Sequence, residues 1–245
     1  MFFGWFMRVI SFNANGIRAC HRRGFFEWLK QVDPDVICLQ ELKAQVGDFD
    51  FNLPGYYFYC HTAIKKGYSG VGIYSKIKPL SVKYGLGWPI ADNEGRYVQV
   101  DFEKLSIASI YFPSGTSGDL RQNAKYEFMD KYYDLYLKNL VVSNKSQIIC
   151  GDWNIAHKQI DLKNWRANQK NSGFLPRERE WLTECLESAG LVDSFRVVNQ
   201  QKDEYTWWTY RGKARENNVG WRIDYQIITP DLAPLVKNAS IYNDA

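Results

Sequence analysis

QIICGDWNIAH, residues 147–157, is the stretch from which the fold is read. It opens as an apolar run and closes on a carboxylate, Asp152, and a carboxamide, Asn154, with Trp153 between them and His157 further on. A short apolar run bounded by glycine reads as a strand buried on both faces. Side chains alternate along a strand, so if the extended geometry continues, Asp152 and Asn154 point the same way and converge on one ligand. The plainer alternative is that Gly-Asp-x-Asn caps a turn, with Asp and Asn bonding their own backbone. The rest of the chain has to decide between them.

Further strand candidates are RVISF (8–12), DVICLQ (35–40), GVGIY (70–74), RYVQVDF (96–102), LSIASIYF (105–112) and RIDYQII (222–228), beside SQIIC (146–150) itself. Helical patterns lie at 23–31, with Phe25, Trp28 and Leu29 on one face, and at 119–140. A third, 176–189, has Pro176 in its first turn, a stripe of Trp181, Leu182, Cys185 and Leu186, and Gly190 as its stop. Short Gly or Pro turns in YSGVGIYSKIKP and between the strands of 96–112 argue for antiparallel hairpins within a mixed sheet. Two sheets face to face with helices on both outer sides would bury these runs. No repeat, low-complexity tract or linker interrupts them, so residues 1–245 are expected to form one domain.

Composition narrows the function only slightly. A formal charge of +4 permits an anionic partner without implying one. Nine Trp and sixteen Tyr supply stacking surface that ordinarily goes to the core. The five cysteines form no C-x-x-C pair, and Cys38 and Cys150 lie inside apolar strands, which suits a reduced, cytoplasmic protein. MFFGWF at the start is too short to span a bilayer and lacks a secretory cleavage region. Residues 1–6 either pack on the body or precede a natural start at Met7.

Polar residues close several apolar strands. Asn13 and Asn15 follow RVISF, Glu41 follows VICLQ, Tyr111 closes LSIASI, Asp152 and Asn154 follow QIIC, and Asp224 lies within WRIDYQII. Where neighbouring strands run the same way, these ends gather at one edge. Oxygen donors without Cys or paired His suit Mg²⁺, or Mn²⁺, better than zinc, and Mg²⁺ completes its shell with water and phosphate oxygens. Glu41 is the plainest ligand. His157 falls past the strand end and reads as loop support rather than chemistry.

Taken together, ISFNANGIRA (10–19), PDVICLQELK (34–43), GVGIYSK (70–76), IYFPSG (110–115), GDWNIAHKQIDLKN (151–164) and YTWWTYRGKARENNVGWRIDY (205–225) closely resemble the exodeoxyribonuclease III and apurinic/apyrimidinic (AP) endonuclease family. The family belongs to the endonuclease/exonuclease/phosphatase superfamily. The resemblance implies an α/β fold, a four-layer α/β sandwich of two packed mixed β-sheets flanked by helices. It also implies a monomeric Mg²⁺-dependent DNA repair nuclease that cuts 5′ to abasic sites in duplex DNA and trims 3′ ends, with no membrane partner.

Carried over by position, Glu41 binds the metal, with Asn13, Asn15, Asp152 and Asn154 around it. The family often has Asp where Asn15 stands, so the site here is less negative. Asp152 matches the general base, Asn154 the phosphate donor, and Tyr111 the active-site tyrosine. Asp224 matches an aspartate that pairs with a histidine in a C-terminal Ser-Asp-His segment. The sequence ends at ASIYNDA before any such segment, and a shortened chain is the expected reason.

The same resemblance implies that Trp207 and Trp221 wall an abasic-sugar pocket, and that Arg211 sits on a loop entering the duplex. Asn168, Asn171 and Ser114 match contacts to sugar or phosphate. Arg18, Lys43, Arg177 and Arg222 are expected to touch the DNA backbone in a salt-sensitive way. Two alternatives stay open: a superfamily phosphatase or sphingomyelinase, and a catalytically impaired relative that only binds DNA.

Overall fold

The computed structural model describes residues 6–242 apart from 142 and 144. Of the expected extension 1–6, all but Phe6 lie outside the described residues, and Phe6 is exposed. The chain divides into two compact units. One holds Tyr111 and the described residues before it, with Ile149–Asp152; the other holds Phe112–Ile148 and the described residues from Trp153 on.

In the first unit β1 (Val9–Asn13) runs into α1 (Ile17–Arg22) and α2 (Phe25–Val32), and returns as β2 (Val36–Gln40) parallel to β1. Phe25, Phe26 and Leu29 on α2 pack with Ile10, Ile37 and Leu39, so one face of this sheet is covered by helix. Asp33 ends α2 in a left-handed conformation, its N–H returning to Leu29 O, and Pro34 forbids continuation. β3 (Tyr57–His61) and β4 (Val71–Ser75) complete the order β1-β2-β4-β3.

β5 (Ser81–Tyr84), α3 (Pro89–Asn93), β6 (Tyr97–Asp101) and β7 (Leu105–Tyr111) follow, the three strands pairing as an antiparallel meander. Strands β2 and β4 pack against β6 and β7, so two sheets face each other within this unit. The buried Gln40 amide donates to Ser109 Oγ at 3.0 Å, and that hydroxyl donates to Leu39 O at 2.8 Å, tying the sheets together. β8 (Ser146–Asp152) enters the unit with Ile149–Asp152 beside β7. A side chain on Gly151 would stand 2.2 Å from Ile110 O, which is why glycine precedes Asp152.

In the second unit α4 (Asp119–Tyr132) passes through a wider turn into α5 (Lys138–Leu140), and α6 (Trp165–Asn168) precedes α7 (Pro176–Thr183). β9 (Val192–Asp193) leads through α8 (Ser194–Val198) to β10 (Trp207–Trp208), β11 (Gly220–Trp221) and β12 (Asp224–Ile228). β12 pairs antiparallel with β9, and β10 with β11. An aromatic core holds the unit: Phe112 stacks on Trp153 at 4.8 Å between ring centres, with Phe128, Tyr132 and Trp181 around them.

The expected strands and helices are all present, with shifted ends. The strand expected at 222–228 starts at Asp224, and the helices expected at 119–140 and 176–189 both widen to π-turns, at Tyr133–Leu137 and Glu184–Ser188. β3 and β5 were not expected. Both are edge strands; β5 carries no continuous apolar run, whereas Tyr56–Cys60 leading into β3 is an unbroken hydrophobic one.

Candidate active site

Parallel pairing of β1 and β2 sets Asn13 opposite Gln40, so Asn13 and Glu41 stand at the same end of the sheet. Asn13 Nδ2 donates to Glu41 Oε1 at 2.9 Å and to Asp152 Oδ2 at 2.8 Å, binding residues from three strand ends into one cluster. Asn13 Oδ1 in turn accepts the Asn15 N–H at 2.9 Å. Lys43 Nζ lies 2.6 Å from Glu41 Oε2 and 2.5 Å from Asn15 Oδ1. Asn15, Glu41 and Lys43 all have left-handed backbones, and the turn is braced by Leu42 N–H to Gly70 O and Lys43 N–H to Ser69 O. Strained non-glycine residues gathered at one cluster are a mark of a functional site.

Burial raises the Glu41 carboxyl, but hydrogen bonds from Asn13 and Lys43 and the Lys43 charge outweigh it and hold the group below the ordinary carboxylate range. Glu41 is therefore ionised at neutral pH. Tyr111, whose phenol also hydrogen-bonds Glu41, is pushed the other way: burial comes first, then the charges of Glu41 and Asp152, against the opposing Arg96. Its hydroxyl keeps its proton and stays a donor.

No group of three or more His, Cys, Asp or Glu side chains able to hold a metal occurs among the described residues. The cluster instead offers the carboxylates of Glu41 and Asp152 and the amide oxygen of Asn13. That set fits a hard cation that keeps much of its shell as water or phosphate oxygen, and it is too sparse for zinc.

The second unit holds the remaining candidates except Arg18. The strand stops at Asp152, and Asn154 has φ +53°, so the extended alternation expected to align the two side chains breaks between them. Asn154 Nδ2 donates to Phe112 O at 3.0 Å, and its carbonyl accepts Lys125 Nζ at 2.8 Å. Trp207 and Trp221 face each other across the β10–β11 pair; Trp207 is 43 % exposed, whereas Trp221 packs on Leu162, Phe174 and Ile223. Gly173, at φ +95°, passes so close that an added side chain would touch Asn154 O and the Trp221 ring at 3.2 Å. Asn171 donates to Asn168 Oδ1 at 2.8 Å, Ser114 Oγ is 3.0 Å from Thr116 Oγ1, and the Asp224 N–H reaches Thr206 Oγ1 at 3.2 Å.

Arg18 and Arg211 are exposed; Arg177 is exposed and paired with Asp130. Arg222, expected on the DNA backbone, is instead buried: its guanidinium bonds Asp161 at 2.8 Å and Asp193 at 2.7 Å and lies over Tyr225. A fully enclosed guanidinium with its own carboxylates offers no donor to a phosphate outside. Lys43, expected beside it, has its ammonium on Glu41 and Asn15. His157 is buried, with Nε2 2.8 Å from Thr183 Oγ1 and its N–H on the Tyr225 hydroxyl, the supporting place the sequence suggests.

Three charged residues went unremarked in the sequence. Lys125 and Glu178, both fully buried, pair at 2.5 Å. Glu178 Oε2 also accepts the N–H groups of Gly173 and Leu175, so the pair ties Asn154 O to the loop before α7. Their signal was legible: each takes the first place of an inward stripe, Lys125 before Phe128, Met129 and Tyr132, and Glu178 before Trp181, Leu182 and Cys185. Arg96, buried beneath Tyr111, is the third.

The sequence profile of the Endonuclease/Exonuclease/phosphatase family matches residues 10–242, running through both units. An exodeoxyribonuclease of Bacillus subtilis (strain 168) is 42 % identical over 240 residues, 97 % of this chain and 94 % of the relative. The DNA repair nuclease APEX1 of Danio rerio is 38 % identical, over 98 % of this chain and 78 % of its own. The chain belongs to the exodeoxyribonuclease III/AP endonuclease family. Its fold is accordingly the four-layer α/β sandwich: an AP endonuclease from Archaeoglobus fulgidus superposes with a TM-score of 0.84 at 29 % identity, over 94 % of this chain and 89 % of the other. The exodeoxyribonuclease III/AP endonuclease family is a metal-dependent nuclease family.

Proposed function

We propose that this chain is a Mg²⁺-dependent DNA repair nuclease that hydrolyses the phosphodiester 5′ to an abasic site in duplex DNA and removes nucleotides from 3′ ends. The observation that carries the reading is Asn13 bridging Glu41 and Asp152, with the Tyr111 phenol hydrogen-bonded to Glu41. Family membership supports the same chemistry. When bound, the cation supplies positive charge to the phosphate oxygens and a water of lowered pKa.

The chain's own side chains do the rest. Asp152 takes a proton from the attacking water, whose oxygen forms the new bond to phosphorus as the bond to the 3′ oxygen breaks. Tyr111 donates from its hydroxyl to the phosphate or to that departing oxygen. Asn13 keeps both carboxylates in register, and Asn154 is assigned to the phosphate. Trp207 and Trp221 are assigned to the walls around the base-free sugar, with Arg211 on the loop that enters the duplex. Arg18 and Arg177 are assigned to backbone phosphates.

The test is an end-labelled duplex carrying one abasic site, incubated with the protein in Mg²⁺ and in chelator. Incision on the 5′ side of the site, dependent on the cation, is expected. Turnover of a soluble phosphomonoester or a phospholipid with indifference to the abasic duplex would place the chain among the other activities of the superfamily.

A further inference from the structure

Arg96 is the largest charged side chain enclosed in the first unit, 1 % exposed, and no step above uses it. It stands directly across the β6–β7 hairpin from Tyr111. The register that pairs Tyr97 with Ile110 continues one residue further, with the Tyr111 N–H on Arg96 O at 2.9 Å. Opposed residues of an antiparallel pair share a face. The guanidinium accordingly lies over the Tyr111 ring, 4.8 Å from its centre, while Nη1 donates to Tyr111 O at 2.9 Å.

The other edge of the guanidinium is fixed as well. Nε and Nη2 both reach Glu94 Oε2, at 2.7 and 2.6 Å, and Nη2 donates to the Tyr68 hydroxyl at 3.1 Å. That hydroxyl donates back to Glu94 Oε2 at 3.3 Å. The tight turn that brings Glu94 round needs Gly95: at φ +56° a side chain there would stand 2.5 Å from His61 O. A planar cation held on three sides and lying over the Tyr111 ring restrains both that ring and the backbone that carries it.

We propose that Arg96, clamped by Glu94 and Tyr68, is the positioning residue that aims the Tyr111 hydroxyl at the Glu41 side of the active site. A buried guanidinium is a poor source of stability, because its desolvation offsets its ion pair. Apolar packing would fill the same space without that cost, but would leave the phenol free to swing. This inference rests on the role given to Tyr111 above.

A double-mutant cycle on the full chain separates aim from structure. Arg96→Met is expected to lower kcat on the abasic duplex by about 10- to 100-fold, with KM held within about threefold, since a misdirected catalytic group costs rate rather than binding. Arg96→Lys keeps the charge, loses the planar fork, and is expected not to restore kcat. In the Tyr111→Phe background, Arg96→Met should cost less than about a further twofold, because the hydroxyl it aims is gone. An equal factor in both backgrounds, with Tyr111→Phe itself impaired, overturns the positioning role alone. Full activity of Tyr111→Phe overturns the role of Tyr111 and this inference with it. Should Arg96→Met fail to fold, Glu94→Gln carries the same cycle: a loss of kcat that vanishes in Tyr111→Phe is expected, and no loss, or an undiminished one, overturns the proposal.

Discussion

Lys43 Nζ rests 2.6 Å from Glu41 Oε2, the carboxylate that we propose as a metal ligand. A lysine at that distance keeps the glutamate ionised, and it also competes with any metal for the same oxygen. Charges a few ångströms apart near a protein surface repel by about 1 kcal/mol or more. Lys43→Met is therefore expected to lower the Mg²⁺ concentration for half-maximal cleavage by about three- to tenfold. It should leave the salt dependence of DNA binding nearly unchanged. A Mg²⁺ titration of activity checks this; a requirement for more Mg²⁺ in the variant would show that Lys43 assists the site rather than competing within it.

Arg222 and Arg18 separate two jobs that look alike in the sequence. Arg222 is enclosed between Asp161 and Asp193, so Arg222→Met leaves two buried carboxylates uncompensated and should cost about 3–5 kcal/mol in urea unfolding. Arg18 is exposed, and Arg18→Ala should leave stability within about 0.5 kcal/mol while lowering the salt slope of DNA binding by about one. A salt-slope change from Arg222→Met in a fully folded protein would contradict its assignment.

The buried pair Lys125 and Glu178 gives a second stability contrast. Removing one partner strands the other at complete burial, and Lys125→Met should destabilise by about 3–5 kcal/mol. Lys125→Met combined with Glu178→Gln should recover part of that loss, because no full charge is left buried. Additive losses in the double variant, measured by denaturant unfolding, would mean that each residue stabilises separately.

His157 supplies a pH dependence of definite sign. Burial comes first among the causes that lower it from 6.5 to about 4, with Lys158 and Arg222 adding to burial and Asp161 and Asp193 opposing. Between those two values the unfolded chain takes up a proton that the native imidazole refuses. Its contribution is thus fully present above 6.5 and is lost as the pH falls toward 4, by at most about 3 kcal/mol. His157→Gln should flatten the plot of unfolding midpoint against pH across that window. An unchanged slope would show that His157 is protonated in the folded protein.

Much of this was legible in the sequence because long apolar runs and glycine-bounded ends report buried strands directly. VICLQ is buried at every position, and the residues that follow such strands fall at a common end when the strands are parallel, as Asn13 and Glu41 do. The edge strand Ser81–Tyr84 carries no such run, while Tyr56–Cys60 ahead of the edge strand Tyr57–His61 is an unbroken hydrophobic stretch open to the same reading. Alternation failed at Asn154, where a left-handed residue ends the strand geometry that the spacing assumed. Arg222 departs from expectation because sequence alone does not distinguish a guanidinium aimed at phosphate from one closed over by Asp161 and Asp193. Lys125 and Glu178 are recognisable from the inward helical stripes that they begin, whereas Arg96 has no such stripe and its burial is recognisable only once its partner Glu94 is known.

In the proposed reaction Asp152, held by Asn13, activates the water that cuts the backbone. Single-turnover cleavage of an abasic duplex by Asp152→Asn in Mg²⁺, run beside a binding measurement on the same DNA, tests it most directly. Cleavage is expected to fall by at least about a thousandfold, with affinity within about threefold of the unaltered protein. Cleavage at the unaltered rate by a folded Asp152→Asn protein would remove Asp152 from the reaction.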